Sequence, residues 1–104
     1  MPSPLSPREI GLRIKAILAD RSITQAELAE ALDYSYVMIN RVCMGREKIS
    51  PNLAMELETC GIPGKELYLC QALYMLENAK KKSYPENRQQ ILREKLFARI
   101  EDRY

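Results

Sequence analysis

Three thiols, Cys43, Cys60 and Cys70, and a set of hydrogen-bonding side chains between Gln25 and Lys48 are the groups with which this chain could do chemistry. Histidine is absent, so a thiol nucleophile would lack its usual base, and cysteines 17 and 10 residues apart make no common zinc pattern. No glycine-rich loop could cradle a phosphate, and no pair of carboxylates stands apart from ordinary surface acids. No catalytic activity, metal or cofactor is therefore expected, and the thiols read as reduced cysteines of a cytoplasmic protein. The polar set is different in kind. Gln25, Ser35, Tyr36, Asn40, Arg41, Arg46 and Lys48 offer donors, acceptors and positive charge, with Val37 among them as an apolar contact. Groups of this kind bind a partner without turning it over.

Side chains can be aimed only from a fixed backbone, and the pattern around these residues is helical. Pro2, Pro4 and Pro7 keep the first seven residues out of a helix, and residues 1–7 are expected to be mobile. From Arg8, Ile10, Ile14, Ile17 and Leu18 form one apolar stripe ending near Asp20. Thr24-Gln-Ala-Glu27 is a capping-box start for a short helix from Gln25 to Leu32. Asp33-Tyr34 is a turn, and Ser35 caps a third helix with Ile39 and Val42 inward and Gly45 as its stop. Ser50-Pro51 opens a fourth helix with Leu53, Ala54 and Leu57 on its apolar face as far as Gly61. A fifth is expected over about 65–80, with Leu69, Cys70, Leu73 and Leu76 on its packing side, and a sixth over about 86–102. No alternating run of β-branched residues is present, so the class is all-α.

The 104 residues, 46% apolar and 29% charged, suit one domain with its own core. No run approaches the ~18 to 20 apolar residues of a membrane span, and no secretory signal pattern opens the chain. The formal charge of +2 is unevenly spread: residues 1–62 carry −1 and residues 63–104 carry +3. Any anionic partner of the first part must be met by placed groups rather than by bulk charge, and Arg41, Arg46 and Lys48 form its one local basic surplus.

The stretch Thr24-QAELAEALDYSYVMINRVCMG-Arg46 resembles the helix-turn-helix of the Cro and phage-repressor type, in spacing, cap and stop, within a likeness that runs from about Arg8 to Ile62. In that family the second helix enters the major groove of DNA and the first crosses the backbone. The resemblance implies that Tyr36, Val37, Asn40 and Arg41 point outward to read bases. Arg41 would bind guanine, Asn40 adenine or a phosphate, Val37 a thymine methyl, and Tyr36 a sugar or phosphate. Gln25 and Ser35 would hold phosphates, with Arg46 and Lys48 adding charge. Asp33 stands where the family usually has glycine. Leu18 and Cys43 stand where many relatives pair a buried arginine with a glutamate, and an apolar contact can replace such a pair at little cost.

Farther on, Lys48-Ile-Ser-Pro-Asn-Leu-Ala-Met-Glu-Leu57 and Glu66-Leu-Tyr-Leu-Cys-Gln71 resemble HigA-type antitoxins, also called virulence-associated protein I. That resemblance implies a repressor-like helix-turn-helix bundle of about five helices with an additional C-terminal helix. It also implies an antitoxin that neutralises a small ribonuclease toxin and, as a homodimer on double-stranded operator DNA, represses its own promoter. The alternatives are a phage- or plasmid-derived repressor without a toxin and a helix-turn-helix that binds protein alone. The expected organisation is a flexible segment (1–7), a helix-turn-helix domain (8–82) and a C-terminal helix (83–104). That last helix would present Leu92, Leu96, Phe97 and Ile100 for dimerisation.

Overall fold

The computed structural model describes residues 2–79 and 86–101, with the backbone alone for 86, 87, 89 and 99–101. Six helices follow one another: α1 (Pro7–Asp20), α2 (Gln25–Leu32), α3 (Tyr36–Cys43), α4 (Pro51–Thr59), α5 (Gly64–Glu77) and α6 (Glu86–Glu101). No strand is present among the described residues, and the all-α expectation holds. The starts of the first four helices are written in the sequence as side-chain caps. Ser6, Thr24, Ser35 and Ser50 each accept the N–H three residues on, and proline stands at the first position of α1 and α4.

The ends of the same four helices share one device. After each, a residue in the left-handed region (Ser22, Asp33, Gly45 or Gly61) turns the chain. The N–H of that residue and of the next then reach back to the last carbonyls, as when Gly45 donates to Val42 and Arg46 to Arg41 at 3.1 and 2.9 Å. Asp33 adopts φ 57 and ψ 40, so the turn between α2 and α3 keeps its left-handed shape without glycine. Ser22 does the same after α1, where the sequence gives no glycine or asparagine to mark it.

The core is built from Ile10, Ile14 and Leu18 of α1, Leu28 and Ala29 of α2, and Ile39, Val42 and Cys43 of α3. Leu53 and Leu57 of α4, with Ile49, Ile62, Leu67 and Cys70, complete it. Leu18 and Cys43 are 3% and 1% exposed, an apolar pair where relatives are expected to hold charges. The close approach of α1 to α3 requires Gly11. A Cβ there would run into the Cys43 carbonyl oxygen and lie 2.7 Å from that of Val42.

Three expectations are corrected. The N-terminal segment is not loose up to residue 7: Leu5 is buried, its N–H donates to the Cys70 carbonyl at 3.1 Å, and Ser6 with Glu9 forms a capping box for α1. The prolines exclude helix from the segment but leave it free to dock as extended chain. The fifth helix begins at Gly64, ends at Glu77, and packs by another face: Leu67, Cys70 and Gln71 are buried, whereas Leu69 is 53% and Leu76 74% exposed. This helix is apolar almost all round, so periodicity cannot say which side faces the core. The third correction, at Asn40, belongs to the site below. The expected end of the fifth helix at about residue 80, the boundary at 82 and 83, and the side chain of Ile100 lie outside what is described.

Candidate nucleic-acid interface

Thr24 fixes the start of α2 through a reciprocal box with Glu27. The Glu27 N–H donates to the Thr24 hydroxyl at 3.1 Å and the Thr24 N–H to the Glu27 carboxylate at 3.0 Å. These bonds hold the Glu27 carboxyl below its ordinary pKa, so the box is fully formed at neutral pH. Three residues then separate α2 from α3, and the Ser35 hydroxyl accepts from the Met38 N–H at 3.1 Å. With Ile39, Val42 and Cys43 turned into the core, the register of α3 is set.

That register leaves Tyr36 and Val37 at the first turn of α3, 53% and 60% exposed, with Arg41 exposed one turn later. The guanidinium groups of Arg41 and Arg46 and the Lys48 ammonium have no hydrogen-bond or ion-pair partner among the described residues. The outward surface is thus an aromatic ring with a hydroxyl, an isopropyl group and a free planar guanidinium. It is a surface able to contact methyl groups and paired acceptors such as O6 and N7 of guanine. Ser35 is exposed at the same end, its oxygen already engaged by the cap.

Asn40 departs from the outward set. It is half-buried, and its Nδ2 donates to Oε1 of Gln25 at 3.0 Å. The bond ties the start of α2 to the middle of α3. With its oxygen occupied, Gln25 presents its amide N–H groups as donors, the chemistry an anionic phosphate oxygen accepts. Nothing in helical spacing reveals this bond, because Asn40 lies on the boundary between the core face and the outer face of α3.

Two residues that the sequence reading did not single out position the rest of this surface. Gln71 on α5 is 3% exposed, accepts the Ile49 N–H at 2.8 Å and donates to the Ile49 carbonyl at 2.9 Å. This clamp fixes the loop after α3, which carries Arg46 and Lys48. Gly11 sets the depth of α3 on α1, as described above. A buried glutamine among apolar neighbours was the one available signal for the clamp, since such a group demands partners. Gly45, at φ 74, ends α3 with its α-carbon against the backbone of Arg8, where a Cβ would lie 2.6 Å from the Arg8 Cα.

The thiols serve other ends. Cys43 and Cys70 are buried and Cys60 is exposed, all three free. Burial pushes the Cys43 thiol up, offset in part by the Lys15 ammonium, so it stays protonated at neutral pH. Among the described residues no group of three or more His, Cys, Asp or Glu is placed to hold a metal, and no helix is long and apolar enough to cross a membrane.

No family model and no curated protein matches the chain. Among solved structures it is similar to PA4674 from Pseudomonas aeruginosa, solved in complex with its operator DNA of 28 bp. The identity is 29%, the likeness covers 85% of this chain and 91% of that one, and the TM-score is 0.59.

Proposed function

We propose that this chain is a sequence-specific DNA-binding repressor that lays α3 in the major groove of an operator. The observation that carries this reading is the outward face of α3, where Tyr36, Val37 and an Arg41 with no partner among the described residues stand on a helix whose register the core dictates. The likeness to a protein solved on its operator DNA supports it. Gln25, Ser35, Arg46 and Lys48 would fix the chain on phosphates, and Asn40 would hold Gln25 in place for that task. A homodimer would set two α3 helices about 34 Å apart, in successive major grooves of a near-palindromic site.

The test is selection from a pool of random duplexes, followed by binding of the recovered sequence to wild type and to Arg41→Ala. The expected outcome is an enriched, near-palindromic motif on which Arg41→Ala loses about 1 to 3 kcal/mol and relaxes one base position. A pool without enrichment, or a variant that binds every sequence as wild type does, refutes the placement of α3.

The finer reading is an antitoxin that neutralises a ribonuclease toxin encoded beside it in the cytoplasm. It is supported by the resemblance over Lys48–Leu57 and Glu66–Gln71. Expression of the adjacent small reading frame should arrest growth, and co-expression of this chain should relieve the arrest. Arrest that is absent or unrelieved leaves the repressor without a toxin as the reading.

A further inference from the structure

Among the described residues, two apolar surfaces lack a cover. One is the outer side of α5 with the neighbouring edge of α4: Met55, Leu69, Met75 and Leu76 are 54%, 53%, 42% and 74% exposed, and Tyr68 and Ala72 lie among them along shallow depressions. The side of α5 opposite this strip is already packed in the core through Leu67, Cys70 and Gln71, so the helix is apolar on both sides and covered on one. The other surface is on α6, where Leu92, Leu96 and Phe97 are 50%, 61% and 61% exposed on one flank. That helix shares no extensive packing with α1–α5, and the chain measures 57 Å along its long axis against 30 and 26 Å across. A helix held off its own body with an apolar flank bare is presented to another molecule.

The geometry points to that molecule being a second copy of this chain: α6 of each protomer lies on the α4–α5 face of the other, in a reciprocal two-fold exchange. Size, charge and area agree. At 14 and 16 residues, α5 and α6 have matching lengths, about 21 and 24 Å. Residues 51–79 carry Glu56, Glu58, Glu66 and Glu77 against Lys65 alone, a net of −3, whereas α6 carries Arg88, Arg93, Lys95 and Arg99 against Glu86, Glu94 and Glu101, a net of +1. Seven large side chains, each about half exposed, bring on the order of 700 Å² per protomer, close to the ~800 Å² a stable interface takes from each partner. The exchange names the surface behind the homodimer in the reading above. It differs from a contact between two α6 helices, under which the α4–α5 strip would stay bare.

Sedimentation velocity without DNA, at micromolar concentration, tests this with two double variants. One charges the face (Leu69→Glu with Leu76→Glu) and one charges the helix (Leu96→Glu with Phe97→Glu). All four positions are more than half exposed, so both chains should fold, which far-UV circular dichroism checks. Wild type is expected to be dimeric and each variant alone monomeric. An equimolar mixture is expected to regain a heterodimer through its one intact dock, with a dissociation constant ~10-fold or more above that of wild type. A face variant that dimerises alone would put the contact between two α6 helices, and a helix variant that dimerises alone would put it between two faces. A monomeric wild type, or a mixture that stays monomeric, would also overturn the exchange. Because DNA is absent, failure here leaves the reading of α3 untouched, and failure of the Arg41→Ala test leaves the exchange untouched.

Discussion

Replacing Gln71 by leucine should unfasten the loop between α3 and α4 with little change in side-chain volume. The Ile49 residue that Gln71 holds is 2% exposed, so water cannot take over the lost bonds at 2.8 and 2.9 Å. One buried N–H and one buried C=O left unpaired cost about 1 to 3 kcal/mol each, and the added apolar burial returns part of this. A net loss of about 2 to 4 kcal/mol is expected, read as a lower urea midpoint with an unchanged slope. Gln71→Glu sharpens the test. Its carboxylate can still accept from the Ile49 N–H but meets the Ile49 carbonyl with no donor, and only the protonated acid restores both bonds. The folded pKa of the new carboxyl is therefore raised above its unfolded value. Its deficit relative to wild type should be smallest below that unfolded value and should grow as pH rises through the folded one. A Gln71→Leu loss under about 1 kcal/mol, or a Gln71→Glu deficit that is flat with pH, would refute the clamp.

Gly11→Ala should destabilise the fold by about 1 to 3 kcal/mol in urea unfolding although alanine is the better helix former, because its Cβ meets the carbonyls of Cys43 and Val42. Asp33→Gly should raise thermal stability by up to about 1 kcal/mol, since it removes the cost of a left-handed non-glycine residue while keeping the same turn. Glu9 and Glu27 are both held below the ordinary carboxylate pKa by their capping boxes with Ser6 and Thr24. The stability they supply is complete above the unfolded carboxyl pKa and is lost as pH falls through the lowered folded values. Acid titration of Glu9→Gln with Glu27→Gln should accordingly show a shallower fall in stability than wild type over that range.

Caps, proline positions and glycine stops are local, one-dimensional signals, and they determined the helix order, the turn between α2 and α3 and the inward set Ile39 and Val42. The same signals determined the outward exposure of Tyr36, Val37 and Arg41, because a helix with two buried positions fixed has its remaining directions fixed as well. Even the capping box of α1 was written in Ser6-Pro-Arg-Glu9, hidden beneath the prolines around it. Other features depended on which surfaces meet. The face of α5 could not be chosen from a helix apolar on nearly every side; the neighbours Leu53 and Leu57 on α4, with Ile49 and Ile62, chose it by closing the core. The Asn40–Gln25 bond, the Gln71 clamp on Ile49 and the docking of Leu5 beneath Cys70 join residues 15, 22 and 65 positions apart. Periodicity extends over a few turns of one helix, and distances of that kind exist only once the helices have packed.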